Sequence, residues 1–240
     1  MNKLKNFFKK FNKPDETERK HTYSYEISGE NNHIVIFNDN GEIGDLSKNI
    51  SGLNILIKGN NNTIRIHEKA VFIDSFIQIG NDNVSVEINQ SNLLSIYVRC
   101  CFGNNQNFRI GKNTEIGGAS FYLDEEAACF IGEDCMFSND IKVWCGDGHA
   151  ILDKITGEFL NEIKIPMEIG NHCWVGQGCR LLKGGGLADD SILGGGAVLT
   201  KKYKETNIAL GGNPAEVIRN NVTWNKKSVY ALRKEKCQKI

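Results

Sequence analysis

The chain has 240 residues and is 40% hydrophobic, enough to supply a real core; 25 glycines against 3 prolines, with asparagine abundant in the first half, point to many tight turns rather than to disorder or a collagen-like repeat. Lys+Arg and Asp+Glu balance at 29 each, which excludes an overall field favouring nucleic acid and leaves only local charge clusters.

In chain order, the first segment is MNKLKNFFKKFNK (1–13), where lysines interrupt Leu4, Phe7, Phe8 and Phe11. It lacks the continuous apolar run of a signal peptide or membrane span. Residues 1–21 read as a short basic amphipathic segment, either a cap or a peripheral contact with an anionic membrane surface. The expected location is cytoplasmic, and the eight cysteines, which form no CxxC zinc pattern, read as reduced thiols.

From residue 22 to 110 a loose repeat recurs as GENNHIVI (29–36), GNNNTIRI (59–66), GNDNVSV (80–86) and GNNQNFRI (103–110). Each is a turn-forming Gly-Asn block followed by alternating apolar residues, and asparagine tolerates the left-handed backbone that corners need. A sharper period follows. Ile110 and Ile116, then Ile131, Phe137 and Val143, then Ile169, Val175, Leu181, Leu187, Leu193 and Leu199 are each spaced by six. Small residues occupy a second fixed slot, among them Thr114, Cys135, Cys173, Cys179, Gly185, Ser191 and Ala197. Six is a multiple of the strand period but not of the helical one, so the unit predicts short strands joined by turns, stacked into a solenoid around an aliphatic column. The three cysteines of the small slot read as packing residues. The whole of 22–221 reads as one elongated domain.

The register breaks between Val143 and Ile169, so residues 144–168 read as a protruding loop, and long ordered loops on repeat scaffolds commonly carry function. It contains Trp144, Cys145, Asp147, His149 and Asp153. Histidine is the side chain suited to exchange a proton near neutral pH. Cys145, four residues before His149, also allows a competing covalent acyl-cysteine reading. The tail, VTWNKKSVYALRKEKCQKI (222–240), sets Trp224, Val229 and Leu232 among lysines and arginines and predicts an amphipathic helix capping the solenoid end.

Several of these segments carry a family resemblance. Gly146-Asp147-Gly148-His149-Ala150-Ile151-Leu152-Asp153 resembles the Asp-x-His-x-Ile-x-Asp stretch of hexapeptide-repeat polysaccharide O-acetyltransferases. Asn171-His172-Cys173-Trp174-Val175-Gly176 is similar to their Trp-[IV]-Gly step, Ile192 to Lys201 to their glycine-rich penultimate coil, and Gly212-Asn213-Pro214-Ala215 to their Gly-Asn-Pro-Ala element. The resemblance covers about residues 110–220; the earlier coils match in style only. It implies an all-β, left-handed parallel β-helix with three sides per coil, which would break the right-handed crossover rule. It further implies acetyl transfer from acetyl-CoA to a sugar hydroxyl of a bacterial capsular or other surface polysaccharide. His149 would be the general base, Asp147 or Asp153 would orient its imidazole, and a backbone N–H would meet the developing oxyanion. Trp174 follows a small-slot residue and should project outward, where with Trp144 it would flank acceptor or thioester. Cofactor contacts fall on Gly176, Gly194, Gly195, Gly196, Ala197, Lys201, Lys202, Pro214 and Arg219, with sites shared between the subunits of a homotrimer. The basic residue usual after the Gly-x-Pro-Ala element is Glu216 here.

Two other readings share the solenoid. One is N-acetylation of an amino sugar or an antibiotic, as in the xenobiotic acetyltransferases. The other is a zinc hydrolyase of the γ-carbonic anhydrase type, which needs three metal histidines; His21, His33, His67, His149 and His172 form no convincing triplet, so no metal is expected.

Overall fold

A computed structural model describes residues 24–45, 50–161 and 165–237. The basic segment 1–21, with His21, lies outside the described residues, as do residues 162–164 of the loop. The described residues form a three-sided prism of parallel sheets, each side carrying eight strands. Face I runs from Tyr25–Ser28 through Leu53–Lys58, Ser75–Ile79, Ile96–Phe102, Ala119–Asp124, Ile141–Trp144 and Arg180–Leu181 to Val198–Leu199. Face II starts with the antiparallel pair His33–Asn38 and Gly41–Asp45 and descends to Gly186–Leu187. Face III descends from Val71–Ile73 to the antiparallel pair Ile208–Gly211 and Glu216–Asn220.

The six-residue register explains this architecture. Successive positions Ile169, Val175 and Leu181 lie on faces II, III and I, so each hexapeptide makes one side and three make a turn. Register then stacks like on like. Ile55, Ile77, Val98, Phe121, Val143, Leu181 and Leu199 form one inward ladder, Ile36, Ile66, Ile88, Ile110, Ile131, Ile169 and Leu187 a second. Phe72, Leu93, Ile116, Phe137, Val175, Leu193 and Leu210 form the third. Nearly all these side chains are buried, each stabilising the fold by about 1.5–3 kcal/mol relative to exposure.

The corners are where the chain must leave the strand conformation. At the corner between faces I and II, Asn31, Asn61, Asn83 and Asn105 all take positive φ, as the Gly-Asn blocks predict. The neighbouring asparagines do more than turn. Asn62 is fully buried, its Oδ1 accepts the Val84 N–H at 2.8 Å, and its own N–H donates to Asn32 Oδ1 at 3.1 Å, so one coil's side chain satisfies the next coil's backbone. At the corner between faces II and III the small slot does the same work. Ser91 Oγ donates to the Gly111 carbonyl (2.8 Å), Thr114 Oγ1 to Gly132 (2.9 Å), Cys135 Sγ to Gly170 (3.1 Å) and Cys173 Sγ to Ala188 (3.2 Å). The slot is therefore small and also a donor. Cys135, Cys173 and Cys179 are fully buried.

The tail carries the expected C-terminal helix, which among the described residues runs over Val229–Cys237, but the residues before it lie along the corner between faces II and III as a strap. Val222 exchanges backbone and side-chain hydrogen bonds with Asn207, Trp224 Nε1 donates to the His172 carbonyl at 2.7 Å, and Lys226 Nζ reaches the Asn113 carbonyl at 2.7 Å and Asp134 at 2.8 Å. Trp224 is buried there, whereas Val229, expected on the same apolar stripe, is 66% exposed. The strap wins because corner carbonyls offer Trp224 and Lys226 fixed partners that a short, strongly basic helix cannot match.

Candidate active site

The insertion leaves face I after Trp144 and folds as a small hairpin: Leu152 bridges Phe159, Asp153 N–H donates to the Glu158 carbonyl (2.8 Å), and Leu160 N–H to Ile151 (2.8 Å). Asp153 caps its turn by accepting the N–H groups of Ile155 and Thr156, both at 2.8 Å, and these bonds hold its carboxyl below its ordinary pKa. Gly148 has φ +71°, a left-handed conformation that favours glycine immediately before His149.

His149 is exposed and lines a cleft of about 400 Å³ with Gly103, Asn105, Glu125, Phe159 and Asn161, at the corner between faces I and II. Its backbone is clamped: Asn161 Nδ2 donates to the His149 carbonyl (2.9 Å) and to Asp147 Oδ2 (2.8 Å), while Asn161 Oδ1 accepts the Ile151 N–H (2.9 Å). Lys183, from the following coil, closes the base with an ion pair to Asp147 and a 2.5 Å hydrogen bond to the Asn161 carbonyl. Partial burial pushes the Asp147 carboxyl up, but the Lys183 ammonium and the Asn161 amide outweigh it and hold the group below its ordinary value. Asp147 and Asp153 are thus both engaged in building the loop, and neither touches the imidazole, which makes no hydrogen bond among the described residues.

Cys145 is 6% exposed, and its thiol lies beside that of Cys129, which this neighbour and burial push up. A thiol turned into the core is not presented to a substrate. Trp144 stacks on Tyr122 at 5.7 Å on the outward side of face I. Trp174 faces outward on face III, 37% exposed, with its own chain's Trp224 6.2 Å away; Trp224 in turn stacks on His172 at 4.6 Å. His149 and Trp174 therefore lie on opposite sides of one prism, a corner facing away from face III.

The residues expected to meet the cofactor divide. A Cβ on Gly176 would lie 2.6 Å from Gly195 N, so coil packing alone requires that glycine. A Cβ on Gly196 would meet nothing within 4 Å, and Gly195 and Gly196 form an exposed edge where faces III and I meet. Gly194 sits under the Leu210 carbonyl, Ala197 is buried, and Pro214 is exposed next to buried Ala215. Lys201 pairs with Glu216 (2.9 and 3.1 Å) and Lys202 with Glu168, so neither charge is free for a phosphate. Arg219 is exposed, pairs across the sheet with Ala209 and has no acidic partner among the described residues. An open glycine edge at one end of face III, and on the same face a guanidinium without an acidic partner among the described residues, in register with Ala209, Ile192 and Trp174, fit an extended anionic cofactor.

Asn161 and Lys183 are the functional positions that sequence reading missed. A polar residue closing the insertion and a lysine two residues after a core leucine carry no signal until the loop is folded. Among the described residues no group of three or more His, Cys, Asp or Glu side chains is arranged to hold a metal ion; His67 is buried beside Phe37, and His172 is engaged with Asp190 at 2.7 Å.

No protein-family profile matches the chain. It is 27% identical, over 88% of its length and 93% of the relative's, to the polysialic acid O-acetyltransferase of Neisseria meningitidis. Among solved structures, the polysialic acid O-acetyltransferase OatWY aligns with a TM-score of 0.69 at 25% identity, covering 88% of this chain and 96% of that one. The polysialic acid-specific acetyltransferase NeuO aligns with a TM-score of 0.72 at 24% identity over 90% and 96%, a likeness of fold. The six-residue repeat and the three-faced parallel solenoid, taken with these relatives, give the chain the left-handed β-helix fold and make it similar to the hexapeptide-repeat acyltransferases, among them the bacterial polysialic acid O-acetyltransferases.

Proposed function

We propose that this enzyme moves an acetyl group from acetyl-CoA to a hydroxyl of an acidic capsular polysaccharide, with His149 as general base. The observation that carries the reading is the placement of His149: an exposed imidazole, free of internal partners among the described residues, on a backbone clamped by Asn161 and Lys183 at the mouth of a cleft. The name of the Neisseria meningitidis relative supports the acceptor class.

Acetyl-CoA supplies an activated acyl thioester. Gly195, Gly196 and Arg219 are the residues of this chain that would hold it, with Trp174 beside the reacting end. The neutral His149 imidazole takes the proton of the attacking hydroxyl and returns it to the departing thiolate. Because Trp174 lies on the face opposite the His149 corner, a complete site takes His149 from one protomer and Trp174 from its partner, consistent with a homotrimer. The exposed Ile151, Leu152, Phe159 and Leu160 of the hairpin give the neighbouring subunit an apolar surface to cover. A location at the inner face of the cytoplasmic membrane would bring the enzyme to nascent polymer.

The test is transfer of labelled acetyl from acetyl-CoA to polysialic acid by purified protein, beside amino sugars and neutral polysaccharides. Acetyl appearing as base-labile ester on the acidic polymer is the expected product, and His149→Ala should lower kcat by ~10²–10⁴-fold with an unchanged melting temperature. Amide-linked acetyl, or full activity in His149→Ala, would sink the assignment.

A further inference from the structure

The outward side of face I differs from the rest of the surface. From Ser75–Ile79 to Ile141–Trp144, register places Phe76, Tyr97, Ser120 and Lys142 in one outward row and Gln78, Arg99, Tyr122 and Trp144 in the next. These positions hold four aromatic rings, two cations and no carboxylate, and all are half-buried, each with a side open to solvent. The rings form a continuous chain. Phe76 and Tyr97 stack at 5.6 Å, Tyr97 meets Tyr122 edge-on at 6.0 Å, and Tyr122 stacks on Trp144.

The cations are under-neutralised. Arg99 lies over the Tyr122 ring at 4.8 Å and the Phe102 ring at 5.3 Å; its ion pair with Asp124 is long, at 3.4 Å, and its buried Nε has no partner. Lys142 Nζ donates to Ser120 Oγ at 3.0 Å and has no carboxylate partner among the described residues. Face II at the same height is the contrast: Arg65, Glu87 and Arg109 neutralise one another at 3.3 and 3.5 Å, with Glu42 completing the row. The rows of face I also have a direction. They end at Trp144, where the chain enters the insertion, and the exposed Phe102 adjoins Gly103, Asn104 and Asn105, which line the His149 cleft.

We propose that these rows are a binding track for an acidic glycan chain, guiding it along face I into the His149 cleft; the link to acetylation rests on the function proposed above. Apolar C–H faces of sugar rings suit aromatic surfaces, sugar carboxylates suit Arg99 and Lys142, and hydroxyls suit Ser120 and Gln78. Four adjacent strands span about 14 Å, so the track engages a polymer and leaves a short oligomer to the cleft alone.

Binding is read without turnover in a His149→Ala background, by calorimetric titration with polysialic acid, a short sialic acid oligomer and size-matched dextran at low and high salt. Tyr97→Ala and Lys142→Gln are the track variants. The polymer should bind and dextran should not; each variant should weaken polymer binding roughly threefold to tenfold, leave the oligomer unaffected, and keep the light-scattering mass. High salt should weaken the polymer complex. Should Tyr97→Ala lower the melting temperature, Lys142→Gln, which keeps a long polar side chain and removes its charge, decides alone. Unchanged polymer affinity, equal weakening for the oligomer, or a fall in mass showing that face I lies between copies of this chain would each overturn the track. Acetyl transfer is measured separately on the protein with His149 intact: lack of ester formation on a polymer that binds through face I would refute the reaction and leave the track standing.

Discussion

The coils and the insertion they carry are organised on opposite terms. In the coils every second side chain of a strand turns inward, and a slip of one residue would turn an entire ladder outward, so burial sets the register. In the insertion Ile151, Leu152, Ile155, Phe159 and Leu160 remain exposed, and the path is set by polar groups: Asp153 at the tip, Asn161, Asp147 and Lys183 at the base. The body is thus robust to charge and sensitive to volume. The insertion is the reverse, so its geometry can change without unfolding the coils.

The largest expected effect lies in the body. Phe121 is fully buried in the face I ladder, and Phe121→Ala should cost about 3–5 kcal/mol in denaturant unfolding. A loss below about 1 kcal/mol would mean that the ladder is looser than its register implies. Asn62→Ala comes next, at about 1–3 kcal/mol, because it leaves the Val84 N–H buried without its acceptor.

The smallest effect on stability, and the one that isolates the loop, is Lys183→Met. The Lys183–Asp147 pair is partly exposed, so global unfolding should change by less than about 1 kcal/mol, while kcat falls as the His149 backbone loosens. Acid titration sharpens the contrast. Asp147 has a depressed folded-state pKa, so its contribution is complete above the ordinary carboxylate value and is lost as pH falls through the depressed one. The Asn161 side-chain amide, followed by NMR, should report that transition, and Lys183→Met should move it to higher pH. An Asn161 signal that titrates identically in both proteins would separate the loop from this ion pair.

Much of the fold is legible in residues such as Ile169, Val175 and Leu181, because a period of six has one economical structural meaning. That consecutive hexapeptides occupy different faces is also implicit in that spacing. The second role of the small slot is not. Thr114, Cys135 and Cys173 look merely small in sequence, and only the carbonyl of the next coil reveals why a hydroxyl or thiol is used. At the site, the register break marks the insertion with His149, since a failed repeat is visible without coordinates. Local sequence does not show that Glu216 and Glu168 neutralise Lys201 and Lys202, or that Asp147 serves Lys183 and Asn161, because those partners arrive from other coils. The docking of Trp224 is hidden from local sequence for the same reason: its partner, the His172 carbonyl, is 52 residues away.

The tail along the corner between faces II and III bears on how this protein comes apart. A plain solenoid couples each coil only to its neighbours, so its last turns can fray one at a time. Here Lys226 is tied to Asn113, 113 residues away, and Asn207, His172 and Asp134 are tied to the same strap. The lower coils, which carry Trp174 and the glycine edge, therefore cannot peel away without first releasing an anchor several turns above. Local opening from that end therefore has to release the strap together with the turns it crosses.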